Sequence, residues 1–325
     1  MNDLFAEMFD LFIPPVALPD LEHVRRHHQE WIEQHGIADH ETSRVLLAAA
    51  PHVCAGYCYP LAQDGGAELA ADFVGWLCLF DDVFDGPVGE RPDQAGRVVS
   101  ELLAVVRDAP PPDLSPFARA LSSLWQRSSA GRSAHWRFRA ANVWADYLNA
   151  QVIEVRNRHA GIRPGVEDYR VLRRESGASP VALDMAEAVG GFEVPPTVWQ
   201  DPVIQGMREI AINVINDVQD VLSLAKEEAT GDVHNIVLVM ESVHGDSRSH
   251  VLSQVSAKVR GEIDAFLLKE AQLPHVCAAN GLPAALHRPV ALYAESLRAL
   301  MRGNYDWYRS TTRLNYAGTT IDSGI

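Results

Sequence analysis

Trp76-Leu77-Cys78-Leu79-Phe80-Asp81-Asp82-Val83-Phe84-Asp85-Gly86-Pro87 runs an apolar stretch into three carboxylates within five residues and closes on a helix-breaking pair. At about 100° per residue, Asp81 and Asp85 fall on one side of a helix, with Val74 and Cys78 below them on the same face, and Gly86-Pro87 ends it. The acids therefore stand at a helix C-terminus, where the macrodipole disfavours each by about 0.3–1 kcal/mol. Mutual repulsion adds to that cost. Either solvent relieves it, as at an ordinary polar helix end, or a hard divalent cation does. Oxygen-only ligands favour Mg²⁺ or Mn²⁺ over Zn²⁺. A helix face that is acidic above and apolar below suits a molecule with a charged head and a hydrocarbon tail, although ordinary core packing under a polar helix end would give the same pattern.

Outward from this stretch, helical periodicity dominates. Leu21, Val24, His28, Trp31 and His35 recur at three- and four-residue spacing between Pro19-Asp20 and Gly36. Similar patterns predict helices over 41–58, 66–85, 91–108, 115–129, 133–158, 166–189, 201–227, 232–243, 247–271 and 284–312. Pro/Gly-rich breaks such as Pro110-Pro111-Pro112 separate them, and alternating strand patterns are absent. The 325 residues, 47% hydrophobic, show neither a linker nor an internal repeat, so the expectation is one all-α domain over 1–325, with a disordered tail at 317–325. A formal charge of −15 with no Lys/Arg run argues against nucleic acid as a partner. Any anionic substrate then needs metal screening. The start, Met1 to Glu7, is acidic where a signal peptide would be basic, and no apolar run is long enough to span a bilayer. Together these predict a cytoplasmic protein with no membrane partner. Cys54, Cys58, Cys78 and Cys277 form no CxxC pair and read as reduced, mostly buried thiols.

A second polar cluster lies in Asn216-Asp217-Val218-Gln219-Asp220-Val221-Leu222-Ser223-Leu224-Ala225-Lys226-Glu227. Gln219, Ser223 and Glu227 step four residues at a time and present an amide oxygen, a hydroxyl and a carboxylate on one face, a credible Mg²⁺ site, with Lys226 pointing nearly the same way. Asn216 and Asp220 share a face with Ser223 and Glu227 and remain alternative ligands. Forty-six residues before Gln219 stands Arg173, in Arg173-Arg174-Glu175-Ser176-Gly177-Ala178-Ser179-Pro180. Pro180 has no N–H for the Ser176 carbonyl and Gly177 is a poor helix former, so the helix should kink or open there.

Together these clusters resemble the bacterial class I terpene synthases, of the pentalenene synthase type, over nearly the whole chain. The resemblance also covers Leu11-Phe12-Ile13-Pro14, the stretch from Lys226-Glu227-Glu228 to Gly231-Asp232-Val233-His234-Asn235, and Arg302-Gly303-Asn304-Tyr305-Asp306-Trp307-Tyr308-Arg309-Ser310. It implies an α-helical terpenoid cyclase fold around a central apolar pocket. It also implies three Mg²⁺ ions, with Mn²⁺ as a substitute, and a prenyl diphosphate substrate. Asp81 would be the principal metal ligand, Asp82 and Asp85 further ligands or supporting partners, and Gln219, Ser223 and Glu227 the second metal-binding set. Gln219 departs from the family's usual Asn by one methylene and puts the third metal in question. Arg173 matches the family's diphosphate sensor and Gly177 the residue whose carbonyl faces the departing diphosphate. Arg313 matches the Arg of a C-terminal Arg-Tyr pair, but Leu314 stands where the Tyr is expected, and Tyr316 is the nearest hydroxyl.

With Arg173, Lys226 and Arg313, three cations face a diphosphate bearing about three charges at neutral pH. Aromatic faces can hold a carbocation without capturing it. Trp307 is expected in the pocket by the resemblance, whereas Phe73, Trp76 and Phe80 share a face with Leu69 opposite the acids and read as core. Leu77 and Cys78 replace the bulky aromatics common before the motif, which widens the expected cavity floor. The reading is a cyclase that ionises farnesyl diphosphate and ends by proton loss or water capture. Geranylgeranyl diphosphate as substrate, a chain-elongating synthase, and a non-catalytic isoprenoid-binding protein disabled at Gln219 are the alternatives. A homodimer is compatible with the resemblance.

Overall fold

The computed structural model describes residues 4–315, and these fold into helices with no strand among them. In chain order the helices are α1 (Ala6–Phe12), α2 (Glu22–His35), α3 (His40–Ala49), α4 (Pro51–Cys58), α5 (Gly66–Asp85), α6 (Pro92–Val106), α7 (Pro116–Ser129), α8 (Ala134–Ala160), α9 (Val166–Ser176), α10 (Ser179–Val189), α11 (Pro196–Trp199), α12 (Pro202–Thr230), α13 (Ile236–His244), α14 (Arg248–Glu270), α15 (Leu273–Ala279) and α16 (His287–Ser310). The expected tail at 317–325 and Tyr316 lie outside the described residues.

Local chemistry sets most boundaries. Asp39, Ser115, Ser133, Asp201 and Asn235 each accept a hydrogen bond from a backbone N–H in the first turn of α3, α7, α8, α12 and α13. The helix expected over 41–58 is two helices. Pro51 drives Ala50 out of the helical region, to φ +57°, and restarts the chain as α4 at a new angle. The helix expected from 232 begins instead at Ile236, because Asn235 is its cap and residues 232–235 form the return from α12. The segments α1, α11 and α15 were not anticipated. At seven, four and seven residues they are too short to show two full periods.

The long helices pack around one continuous apolar cluster. α12 packs against α14 and α16, α4 lies between α5 and α16, and α6 pairs with α8. At the contact of α16 with α4 the backbones nearly touch. A Cβ on Gly303 would stand 2.5 Å from the Tyr57 carbonyl carbon and 2.6 Å from Cys58 N. Buried charges are paired throughout. Asp72, with none of its surface exposed, accepts from His27, His28 and Arg127. Arg139 lies 3.7 Å over the Trp199 ring and reaches Asp184 and Glu187, tying α8 to α10. All four cysteines are buried and unpaired. No helix among the described residues is long and apolar enough to cross a membrane.

The close approach at Gly303 yields a direct expectation. Gly303→Ala collides with backbone, which cannot swing aside, and should cost about 2 kcal/mol or more. That corresponds to a fall in Tm of about 3 °C or more. Gly96→Ala, where an added Cβ meets nothing within 4 Å, should gain about 0.5–1 kcal/mol by helix propensity. Thermal melts of the two variants beside wild type check both signs, and an unshifted Gly303→Ala would show that the contact is looser than described.

Candidate functional site

The last turn of α5 gathers the three aspartates. Asp81, Asp82 and Asp85 each offer a carboxylate oxygen within 4.8 Å of the others. Two cations answer them. Arg313, on the turn after α16, donates Nη2 to Asp81 Oδ2 at 2.8 Å and Nη1 to Asp82 Oδ2 at 3.1 Å, and its Nη2 also caps the Cys78 carbonyl at 3.0 Å. Lys226 Nζ stands 3.3 Å from Asp85 Oδ2. Asp81 and Asp85 occupy the rim of a concave mouth, with dense protein around them and side chains still 54% and 43% exposed. Burial pushes the Asp81 carboxyl up, but Lys226 and Arg313 outweigh it and hold the group below the usual range. Asp85 is pushed up to about 7 by burial and by Asp81, against the pull of Lys226. The cluster is therefore only partly ionised near neutrality, and an added cation would favour its fully ionised form. Asp81 and Asp82 both engage Arg313, and within the acid triplet Asp81 is the one that lines the main cavity.

Opposite, α12 presents Gln219, Ser223 and Glu227 to the same mouth. Ser223 Oγ donates to Glu227 Oε1 at 2.7 Å, and Asn235 Nδ2 donates to Glu227 Oε2 at 2.6 Å. Gln219 is held at both ends of its amide. Its Oε1 accepts from Arg173 at 3.2 Å and its Nε2 donates to the Tyr308 hydroxyl at 3.1 Å. Burial, then Asp220, raise Glu227 to about 8. Asn216 and Asp220, left open by the sequence as alternative ligands, are engaged elsewhere. Asp220 is fully buried and accepts from Arg173 Nε at 3.0 Å, from the Tyr169 hydroxyl and from Ile236 N at 2.9 Å. The donor set facing the mouth is thus carboxylate, amide and hydroxyl oxygen, with no imidazole or thiolate in the acidic cluster, and it fits a hard divalent cation.

The expected helix break is present between α9 and α10. Ala178 sits at φ +57°, and Gly177 lines the cavity. Gln151 on α8 takes up the opened Ser176 carbonyl at 2.8 Å. The Arg173 carbonyl keeps its helical bond from Gly177 N at 3.0 Å and also accepts from Asn216 Nδ2 at 2.9 Å, while Ser179 Oγ donates to Asn216 Oδ1 at 2.7 Å. The Gly177 carbonyl has only a 3.4 Å contact from Ser179 Oγ. No side chain fits at 177, since a Cβ there would stand 2.4 Å from Asn216 Oδ1.

The cavity, about 190 Å³ with its mouth included, turns apolar below that mouth. Trp307 lines it and is anchored by Nε1 to the Ala49 carbonyl at 2.9 Å. Trp76 and Phe80 stack in the core at 5.0 Å, as their face predicts, but Phe73 lines the cavity. It lies about 40° round the helix from Leu77, at the border of the two faces. Leu77 and Cys78 form the upper wall beneath Asp81 rather than the floor. Burial raises the Cys78 thiol to about 11. The sequence reading passed over Tyr147 and Gln151, and named Tyr308 and Asn235 only within the stretches of resemblance, without a role. Tyr308 was within reach as the neighbour of Trp307, whereas Gln151 and Asn235 act through contacts 25 and 8 residues away that no local pattern marks.

Comparison with known proteins agrees with this geometry. Residues 72–265 match the family described as Terpene synthase family 2, C-terminal metal binding. Pristinol synthase of Streptomyces pristinaespiralis is 33% identical over 94% of this chain and 84% of its own length. Pentalenene synthase of Streptomyces exfoliatus is 32% identical over 94% of this chain and 91% of its own. The crystal structure of linalool/nerolidol synthase from Streptomyces clavuligerus superposes with a TM-score of 0.83 at 28% identity, covering 91% of this chain and 99% of that one.

The raised carboxyls fix how metal-free stability changes with pH. Glu227 at about 8, and Asp85 and Glu187 at about 7, all lie above their unfolded values. Between pH about 6.5 and 8 the folded chain therefore binds more protons than the unfolded one, and stability falls as pH rises. His52, lowered to about 4, works in the opposite direction but only below its unfolded value near 6.5. In EDTA the Tm should fall across this upper window, and Glu227→Gln should flatten the slope. A wild-type Tm that rises over the window would contradict the assignment.

Proposed function

This chain belongs to the terpene synthases, and on that premise we propose that it is a Mg²⁺-dependent cyclase. It ionises a linear prenyl diphosphate, farnesyl diphosphate in our reading, and closes the carbocation into a sesquiterpene. The observation that carries the proposal is a cavity whose mouth holds oxygen donors and three cations and whose interior is apolar and aromatic. The likeness to sesquiterpene cyclases supports the fifteen-carbon substrate.

Asp81, Asp85, Gln219, Ser223 and Glu227 would hold the ions, three Mg²⁺ with Mn²⁺ as a substitute, and Asp82 would keep Arg313 beside them. Bound there, the metal supplies Lewis-acid charge to the diphosphate oxygens. Arg173, fixed by Asp220, and Lys226 and Arg313, now on the aspartates, present their donors to the departing diphosphate and stabilise the charge it gains. The Gly177 carbonyl, with its single long contact, faces the developing cation. Tyr308 near the mouth and Trp307, Tyr147 and Phe73 along the wall offer π-faces that hold the cation without capturing it. No carboxylate or imidazole lines the apolar part of the cavity, and diphosphate itself is the base when the reaction ends by proton loss. We place the protein in the cytoplasm, free of nucleic acid and membrane partners, as one catalytic domain.

Incubation with geranyl, farnesyl and geranylgeranyl diphosphates, each with Mg²⁺ or with EDTA, should give a Mg²⁺-dependent cyclic terpenoid from farnesyl diphosphate by GC-MS. A product from geranylgeranyl diphosphate alone would move the assignment to a diterpene cyclase, and none from any substrate would leave a binding protein. Asp81→Asn should lower kcat/KM by about 10²–10³. Gln219→Leu should raise the Mg²⁺ concentration for half-maximal rate by about tenfold or more.

A further inference from the structure

One turn of α16 inward from Tyr308 stands a polar side chain that ionisation does not use. Asn304 lies in the stripe Leu300-Asn304-Trp307-Tyr308 that α16 turns to the cavity, and its Oδ1 is buried with no hydrogen-bond partner. Its depth follows from the anchors. Tyr308 meets Gln219 at the mouth and Arg313, further along the chain, meets Asp81, so stepping back along α16 leads inward. Ile215 lies below Gln219 in the same way. Nearby walls offer the amide little. The Tyr59 hydroxyl donates to the Ala182 carbonyl at 3.2 Å, and the Cys54 and Cys58 thiols face each other at 3.9 Å. An unsatisfied amide in such surroundings costs about 1–3 kcal/mol, which a leucine of similar shape would avoid. Water removes the cost, and a polar group lining a cavity of about 190 Å³ can be reached by one. If the amide is turned over, the group at that point is a donor, and water can accept as readily as it donates.

We propose that Asn304 holds a water molecule inside the hydrocarbon part of the cavity and that this water captures the cyclised cation, so that the main product is a terpene alcohol. The inference rests on the cyclase reading above. A water lone pair forms the new C–O bond to the cationic carbon, and the resulting oxonium gives one proton to the diphosphate at the mouth. Prenyl diphosphate and water become alcohol and hydrogen diphosphate, with nothing oxidised or reduced. A neutral amide suits the task, since it orients water without adding an anion that would trap the cation early. The other lining atom without a partner, Ser176 Oγ, sits beside Gly177 at the diphosphate end and is the rival anchor.

The test is product partition in H₂¹⁸O with farnesyl diphosphate and Mg²⁺, read above a no-enzyme control. Wild type should give a cyclic alcohol carrying ¹⁸O. Asn304→Leu should cut the alcohol share of the volatile products about tenfold in favour of hydrocarbons, the worth of one hydrogen bond to water, and Asn304→Ser should restore much of it. The share is a ratio among products and does not depend on how much enzyme is active. If Asn304→Leu does not fold, Asn304→Val makes the same comparison. A wild type that makes hydrocarbon only overturns the inference and leaves the cyclase intact. An alcohol share unchanged in Asn304→Leu, or lost in Ser176→Ala instead, overturns the role of Asn304. No Mg²⁺-dependent product from any prenyl diphosphate overturns the cyclase reading and this inference with it.

Discussion

Carboxylates gathered at a helix C-terminus repel one another and the helix dipole alike, and this charge problem organises the rest of the molecule. Arg313 and Lys226 lie on Asp81, Asp82 and Asp85 as provisional counter-ions, and Asp85 still rises to about 7. The same pattern recurs across the mouth, where Glu227 rises to about 8 while Asn235 and Ser223 supply hydrogen bonds to it. A site built this way is under-compensated by its own side chains. It has affinity for added positive charge and, once that charge is present, for an anion beyond it.

The second constraint is directional. A cation generated in an apolar cavity needs a partial negative charge that cannot act as a nucleophile, and a backbone carbonyl freed from a helix supplies one. Freed carbonyls are costly if left open. The molecule satisfies that of Ser176 with Gln151, leaves that of Gly177 nearly free, and braces the last helical carbonyl, Arg173, with Asn216. The break is thus a rigid feature, held from α8 and α12, and the Cβ-free residue at 177 is required by the Asn216 amide packed against it.

The helical class, the acidic end of α5, the stepped triad on α12 and the break at 177–178 were all legible, because each is written in local spacing. What was not legible depended on direction or on partners far along the chain. Asn216 and Asp220 share a helix face with Ser223 and Glu227, yet their side chains are drawn to Ser179 and Tyr169, and no wheel registers that pull. Phe73 sits near a face boundary, where a 40° difference decides between core and cavity. Pro51 was visible, but a proline in a helix's first turn is compatible with continuity of apolar spacing on both sides, and only Ala50 at positive φ reveals the turn.

That turn reaches further than its position suggests. By ending α3 at Ala49 it leaves the last carbonyls of that helix open, and the chain after α16 fastens onto them. Trp307 Nε1 and Thr311 Oγ1 both donate to the Ala49 carbonyl, and Thr312 Oγ1 donates to that of Ala48. Those bonds deliver Arg313 to the aspartates one residue later. The turn at Pro51 and the guanidinium at 313 are thus mechanically linked although 262 residues separate them along the chain. A displaced turn would move the carbonyls that seat Thr311 and Thr312, and with them what Arg313 can reach.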